Sequence, residues 1–279
     1  MSLESTFLII LYNTAIFFSQ GIKRDRNILY NENSKGRDNL LDVYYPEDKE
    51  NIKDVLVFIH GGSWNSGDKE LYWWIGRNFA KKNIVTAVLN YPLSPGSNYQ
   101  SMALNCAIAL KWVKFNIPKY GGNSDRIFVI SHSAGGHLTE LINGDPSYFK
   151  SLKIENPIRG VILNDPFGLD LYDYMINAEK DSYYNSFIKT FTTEPEVWKQ
   201  ASPLTYASNI KNPHLILVGS ITYPSILSHS KNFNDNLQKR GVSSDLLYIN
   251  KKKHIPMITQ MVLGGNSLYV KILKFMQNN

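Results

Sequence analysis

Short runs of β-branched and other apolar residues alternate with longer helical stretches along most of the chain. The apolar runs predict strands at residues 40–45, 55–59, 85–89, 127–130, 161–163, 215–218 and 246–249. The stretches between them predict helices at residues 71–81, 99–115, 135–142, 228–240 and 267–276. Such alternation is typical of a mostly parallel sheet covered by helices. The runs at 55–59 and 215–218 are almost wholly apolar, which is typical of strands buried on both faces.

One interval, residues 169–206, interrupts this alternation. It is rich in Tyr, Phe, Asp and Asn. Ligands of open α/β sheets bind at the carboxyl ends of the strands, and the interval follows one such end. We interpret it as a small cap that shapes a pocket; the alternative is an ordinary long surface excursion. Loops of this length are usually functional or disordered, and the aromatic content disfavours disorder.

The first residues, 1–26, are predicted to stand apart from the domain at residues 27–279. Residues 8–18 are strongly apolar and are followed by a basic stretch at 23–26. This order resembles a secretory signal peptide, but Glu4 lies where such a peptide carries positive charge. The run is shorter than the roughly 20 apolar residues of a membrane span, which argues against a stable span. A signal-peptide remnant and a packed N-terminal helix both stay open, and so do a cytoplasmic and an exported location.

Composition narrows the class of protein. The chain has 279 residues, of which 43% are hydrophobic and 19% charged, and a chain of this size buries a sizeable core. These values exclude a disordered or collagen-like chain, and the single cysteine, Cys106, excludes a disulfide scaffold. The net charge of +6 is dispersed along the chain. It therefore favours solubility rather than a nucleic-acid partner.

The strongest local signal for chemistry surrounds Ser133. The apolar strand at 127–130 runs into Ser-His-Ser-Ala-Gly at residues 131–135, and a predicted helix follows. This order matches the nucleophile elbow G-x-S-x-G, whose strained turn lifts the serine hydroxyl above the sheet. Ser131 occupies the first glycine position, which is a mild departure because a small residue suffices there. The pattern favours a nucleophile over a purely structural turn.

A second glycine-rich turn follows the second predicted strand. Residues 60–64 read His-Gly-Gly-Ser-Trp, and a turn without bulky side chains lets backbone amides face the nucleophile. We expect the amides of Gly62, Ser63 and Ala134 to form an oxyanion hole. We interpret His60 as a residue that orders the turn through its ring nitrogens, and not as a base.

These two turns belong to a longer series of motifs. The series comprises residues 60–64, 67–69, 90–95, 109–112, 120–127 and the elbow. In this order the motifs resemble the α/β-hydrolase fold, most of all the hormone-sensitive-lipase-like carboxylesterases and the related arylformamidases. The resemblance covers residues 40–142 closely and 201–276 more loosely. It implies a serine hydrolase acting on small carboxylic esters, or on an activated amide such as N-formylkynurenine, with no metal or organic cofactor.

In this fold the nucleophile is followed along the chain by the acid and then by the histidine. His254 follows the last predicted strand and is the expected base, although Lys253 stands where the family usually has glycine. The family's acid normally follows the preceding strand, where this chain has Thr222, which cannot carry a negative charge. Asp165, one strand earlier, is the expected substitute; alternatively, it only starts a turn. Weaker candidates for the acid are Asp170 and Glu194.

The sequence thus predicts a serine esterase and leaves two alternatives. One is an arylformamidase, whose motifs read alike. The other is a hydrolase-fold protein that has lost efficient catalysis and serves as a binding module, an alternative that Thr222 keeps open. The aromatic interval favours an acyl or aromatic group in the substrate over a highly charged one. The remaining histidines are assigned to elbow packing, helix packing and surface positions; they are His132, His137, His214 and His229. The oligomeric state is not readable from any pattern.

Overall fold

An eight-stranded sheet runs through the described part of the protein. The structure is a computed structural model that describes residues 21–32, 36–48 and 51–279. The strands are β1 (Ile22–Leu29), β2 (Leu40–Pro46), β3 (Lys53–Ile59), β4 (Val85–Leu89), β5 (Gly122–Ser133), β6 (Ile158–Pro166), β7 (His214–Gly219) and β8 (Ser244–Ile249). Their order is β1-β2-β4-β3-β5-β6-β7-β8. Strand β2 is antiparallel to both of its neighbours, β1 and β4, whereas β3 to β8 run parallel. The predicted mostly parallel sheet is confirmed.

Helices cover both faces of this sheet. They are α1 (Trp73–Ala80), α2 (Tyr99–Asn116), α3 (Ala134–Gly144), α4 (Ser147–Ser151), α5 (Leu171–Asn177), α6 (Ser182–Phe191), α7 (Pro195–Gln200), α8 (Pro224–Lys239), α9 (His254–Thr259) and α10 (Ser267–Asn278). Apolar residues of α1, α9 and α10 form the core on one face, and those of α2, α3 and α8 form it on the other. All five predicted helices are present, with shifted ends. Burial of the central strands between two helical layers explains their unbroken apolar runs.

Strand β1 is an element that the apolar pattern missed. Its sequence, Ile-Lys-Arg-Asp-Arg-Asn-Ile-Leu, is mostly polar, because an edge strand exposes much of its length. Ionic contacts hold it in place: Arg24 lies 2.6 Å from the buried carboxylate of Asp42 in β2. The strand includes residues 22–26 of the predicted N-terminal segment, whereas the apolar run at 8–18 lies outside the described residues.

The interval at residues 169–206 folds into α5, α6, α7 and the start of a 3-10 helix, Pro203–Asn209. Several of its aromatic side chains are buried, among them Phe187, Phe191 and Trp198, whereas Tyr183 is exposed. Phe187 and Phe191 of α6 pack edge-on against Trp64, with ring centroids 5.1 and 4.7 Å away. Trp64 belongs to the glycine-rich turn after β3, so the interval lies directly over that turn.

None of the helices in the described residues combines the length and the apolar character needed to cross a membrane.

Candidate active site

Ser133 lies at the junction of β5 and α3, in a backbone conformation with φ +53°. This left-handed region is uncommon for a residue other than glycine and indicates a strained turn. The flanking glycines are required for space. A Cβ on Gly135 would lie 2.3 Å from the carbonyl oxygen of Ile59, and one on Gly136 would lie 2.7 Å from Cβ of Pro166. The elbow therefore packs directly against the ends of β3 and β6.

Three side chains from separate elements meet at this elbow. Nε2 of His254, the first residue of α9, is 2.8 Å from Oγ of Ser133. Nδ1 of the same ring is 2.7 Å from Oδ2 of Asp165, at the end of β6. The histidine is thus hydrogen-bonded to a hydroxyl on one side and to a carboxylate on the other. A nucleophile, a base and an orienting acid require this geometry.

The Asp165 carboxylate is fully buried and has two further donors. The backbone N–H of Gly219 donates to Oδ1 at 2.7 Å, and the hydroxyl of Thr222 donates to Oδ2 at 2.5 Å. Both donors come from the end of β7 and the turn after it. Thr222, at the position where the family resemblance led us to expect the acid, therefore contacts the residue expected to replace that acid. Nothing in the sequence pattern indicated this contact.

The glycine-rich turn after β3 has three consecutive residues with positive φ. The values are +128° at Gly62, +51° at Ser63 and +60° at Trp64. Glycine is required at the first of these, because a Cβ there would lie 2.1 Å from the carbonyl oxygen of Ser66. Gly62, Ser63 and Ala134 line the same cavity as Ser133. The three residues expected to form the oxyanion hole thus lie together at the nucleophile, with Ala134 at the positive end of the α3 dipole.

His60 is buried beneath this turn and lies near two tyrosine rings. Its ring stacks on Tyr91 with centroids 4.4 Å apart and lies parallel to Tyr72 at 5.9 Å. Nδ1 donates to the carbonyl oxygen of Gly61 at 2.7 Å. Burial lowers the pKa of His60 to about 4, so the ring is neutral at pH 7. These contacts agree with a residue that orders the turn.

His132 packs against the ring of His254. The two rings are stacked with centroids 4.7 Å apart. Burial lowers the pKa of His132 well below its usual range, and the neighbouring His254 lowers it further. A neutral ring at this place supports the face of the candidate base. Elbow packing, the role expected for His132, describes this contact.

The glycine that the family resemblance led us to expect before the histidine is not required here. Lys253 has φ −89° and ψ 174°, an extended conformation that any residue adopts. The side chain of Lys253 is exposed. The lysine thus precedes His254 without backbone strain.

Ser133 and His254 open into a cavity of about 880 Å³. Its wall combines the glycine-rich turn after β3, the 3-10 helix Lys69–Tyr72, the interval 169–206 and the start of α8. Apolar and aromatic residues predominate in this wall; they include Leu71, Trp74, Phe167, Tyr174, Phe187, Tyr223 and Ile258. Because α5 and α6 contribute to the wall, the interval shapes the pocket, as a cap does.

The assignment of surface positions to His214 and His229 is wrong. His214 is buried in β7, with Nε2 3.1 Å from the buried carboxylate of Glu140. His229 of α8 is also buried and lines the cavity, where Nε2 donates to Oδ2 of Asp173 at 2.8 Å. Helix α8 is rich in polar residues, so its sequence does not indicate which face is buried. The contact of His229 in α8 with Asp173 in α5 connects the cap to the rest of the domain.

Comparison with known proteins places these features in context. The BD-FAE family model matches residues 41–237. The isoprenylcysteine alpha-carbonyl methylesterase of Arabidopsis thaliana is 27% identical over 279 residues, covering 95% of this chain and 63% of that protein. Esterase LipC of Mycobacterium tuberculosis is 25% identical over 205 residues, covering 70% of this chain and 50% of that protein. This chain thus spans only half to two thirds of the length of these two curated relatives.

Solved structures share the architecture at lower identity. Esterase B from Lactobacillus rhamnosis superposes with a TM-score of 0.79 at 16% identity, covering 99% of this chain and 91% of that one. The esterase from the archaeon Pyrobaculum calidifontis superposes with a TM-score of 0.74 at 19% identity, covering 99% and 90%. The α/β-hydrolase fold expected from the sequence is confirmed.

Proposed function

Because this chain belongs to the BD-FAE family, we propose that it is a serine hydrolase that cleaves carboxylic esters through an acyl-enzyme. One observation carries the proposal: Ser133, His254 and Asp165 form an unbroken hydrogen-bonded series that opens into an apolar cavity. Several relatives are named methylesterases or esterases, which supports the same reaction class.

In the acylation step, Oγ of Ser133 attacks the ester carbonyl carbon while Nε2 of His254 takes the hydroxyl proton. Asp165 stabilises the imidazolium that forms, since its carboxylate faces Nδ1. The carbonyl oxygen becomes negative and accepts hydrogen bonds from the backbone amides at the oxyanion turn and the elbow. When the bond to the leaving oxygen breaks, His254 donates its proton to that oxygen, and an alcohol departs.

Deacylation repeats these steps with water. The base takes a proton from a water molecule, whose oxygen attacks the acyl carbon of the ester on Ser133. Collapse of the second tetrahedral intermediate breaks the bond to Oγ, and the proton held by His254 returns to the serine. The products are one carboxylic acid and one alcohol, and the enzyme regains its starting state.

The cavity favours a small-molecule substrate with a bulky apolar group. Its volume, about 880 Å³, is within the range of roughly 300–1,000 Å³ typical of small-molecule sites. The aromatic wall formed by Phe167, Tyr174 and Phe187 suits an acyl chain or an aromatic ring. The named substrate of the Arabidopsis relative, an isoprenylcysteine, also carries a large apolar group.

An activity-based fluorophosphonate probe and a p-nitrophenyl ester test this proposal together. We expect the wild-type protein to be labelled and to turn over the ester, and Ser133→Ala to do neither. Ser151→Ala, at an exposed position of helix α4, is the matched control and retains both activities. Absence of labelling in the wild type would contradict the proposal and favour a binding module. Parallel turnover of N-formylkynurenine at a higher kcat/KM than the ester would identify a formamidase instead.

A further inference from the structure

Thr222 is the departure from the family pattern that the proposed mechanism leaves without a role. We propose that Thr222 is a positioning residue for the acid: its hydroxyl fixes the Asp165 carboxylate in the orientation that faces His254. This inference rests on the proposed function and extends it to a residue that itself contacts neither the nucleophile nor the base.

The carboxylate of Asp165 has one fixed donor on each oxygen. The Gly219 amide donates to Oδ1 at 2.7 Å, and the Thr222 hydroxyl donates to Oδ2 at 2.5 Å. Oδ2 is also the atom 2.7 Å from Nδ1 of His254. Donors on both oxygens define the plane of the carboxylate, because rotation about its axis breaks both bonds. The Thr222 bond therefore determines which way the acid faces its histidine.

The surroundings of Asp165 make such donors necessary. The residue is fully buried, and its backbone has φ +53°, a conformation that is uncommon outside glycine. A buried charge is costly unless its oxygens are hydrogen-bonded, and a strained backbone persists only where the surroundings hold it. Loss of the Thr222 hydroxyl leaves a lone pair of Oδ2 unsatisfied and removes one of these restraints.

The sheet explains why a residue after β7 reaches an acid after β6. The two strands are parallel neighbours in register from Val161 opposite His214 to Asn164 opposite Leu217, so their carboxyl ends emerge side by side. The N–H of Thr222 donates to the carbonyl oxygen of Gly219 at 3.2 Å, which holds the turn beneath the carboxylate. The turn after β7 thus supplies a hydrogen-bond donor to the acid instead of the acid itself.

Removal and restoration of the hydroxyl test this role. We measure kcat and KM on p-nitrophenyl butyrate for Thr222→Val, which is nearly isosteric, and for Thr222→Ser, which keeps the hydroxyl. We expect kcat of the valine variant to fall about tenfold to a hundredfold with KM changed less than about twofold, and the serine variant to stay within about threefold of wild type. Thr86→Val, which removes a buried hydroxyl in β4 that donates to the carbonyl oxygen of Ile84, is the matched control and keeps wild-type kcat.

A valine variant with wild-type kcat would overturn the inference, and so would a serine variant as impaired as the valine one. Should Thr222→Val fail to fold by circular dichroism, an acid exchange provides the second test. Asp165→Asn combined with Thr222→Asp returns the carboxylate to the end of β7. We expect its kcat to exceed that of Asp165→Asn alone by at least about tenfold, because the Thr222 hydroxyl lies at Oδ2 of Asp165, the atom that faces Nδ1 of His254. Equal kcat in the two proteins would contradict the juxtaposition that the inference requires.

Fluorophosphonate labelling of Ser133 distinguishes failure of the proposed function from failure of the positioning role of Thr222. A wild-type protein that is neither labelled nor active on esters refutes the proposed function, and the role of Thr222 with it. A wild-type protein that is labelled, alongside a Thr222→Val variant labelled at the same rate and with equal kcat, refutes only the positioning role.

Discussion

The burial and backbone conformation of Asp165 distinguish it from the other acidic residues near the cap. Its carboxylate has three donors and no exposure, whereas Glu194 is exposed and accepts a hydrogen bond from its neighbour Thr193. Asp170 caps the start of α5 by accepting from the amide of Asp173. Of these candidates, only Asp165 has an oxygen at hydrogen-bond distance from the candidate base.

From this contact we expect Asp165→Asn to lower kcat by about 10⁴-fold, the effect of the same change in a well-studied serine protease triad. The amide cannot stabilise the imidazolium and does not fix the ring tautomer. Ester turnover at saturating substrate measures the effect, and Glu194→Gln serves as the control with unchanged kcat. Turnover within a few-fold of wild type in Asp165→Asn would assign the acid role elsewhere.

At the scale of single residues, some members of the site can be predicted from the sequence and others cannot. Ser133 and His254 are recognisable because each follows a predicted strand in a fixed chain order. The donors of Asp165 are not recognisable, because Thr222 is 57 positions away along the chain and meets the carboxylate only through the pairing of β6 with β7. In the sequence, Thr222 reads as the loss of the catalytic acid, whereas in the structure its hydroxyl donates a hydrogen bond to Asp165.

At the level of elements, the apolar pattern predicts the strands that are buried on both faces and misses the polar strand at the edge of the sheet. Strands β3 and β7 read as continuous apolar runs, and the structure extends each by only two residues. Strand β1 reads as polar because it lies at the edge and is held by ionic contacts such as Arg24 with Asp42. The cap is evident as an interruption, but the packing of α6 on Trp64 is a long-range contact that no local pattern encodes.

The close packing of α3 against β3 leads to a prediction for Gly135. A methyl group there would meet the backbone oxygen of Ile59 at 2.3 Å, and backbone cannot move aside as a flexible side chain can. We expect Gly135→Ala to lower the free energy of unfolding by about 1–3 kcal/mol, as overpacking does. We also expect a lower kcat, because the elbow and the oxyanion turn move apart.

Urea unfolding and ester turnover of the same protein preparation measure these two effects. Gly265→Ala is the matched control, since a Cβ at Gly265 meets nothing within 4 Å and its φ is not positive. We expect it to resemble wild type in both assays. Wild-type stability and turnover in Gly135→Ala would show that the distance between α3 and β3 is not a constraint on the site.

Across the whole molecule, three neutral histidines lie inside a protein with a net charge of +6. Burial lowers the pKa of His60 to about 4 and that of His137 to about 3, and it lowers the pKa of His132 as well. In the unfolded chain each returns to a pKa of about 6.5. Below that pH the unfolded state binds protons that the folded state does not, so stability falls as the pH falls.

The expected loss of stability is set by protonation of these histidines in the unfolded chain. Between pH 7 and pH 5 each such histidine reduces the free energy of unfolding by about 2 kcal/mol, because the folded ring stays neutral over this range. Glu70, whose pKa the cations of Lys69 and Arg24 lower to about 2, contributes stability that is lost only below its unfolded pKa of about 4.5. Its effect has the same sign but lies outside this window.

Urea unfolding followed by tryptophan fluorescence at pH 7, 6 and 5 measures the slope. We expect the free energy of unfolding to fall steadily toward pH 5. In His60→Gln we expect a shallower slope between pH 6 and pH 5, whatever that variant's stability at pH 7, because its unfolded chain takes up about one proton fewer. A matched change at an exposed site, Lys274→Gln, removes no buried histidine and should keep the wild-type slope. Stability that stays constant or increases from pH 7 to pH 5 would contradict this prediction. It would mean that the buried histidines take up protons in the folded state, and that water reaches His60 despite the two tyrosine rings beside it.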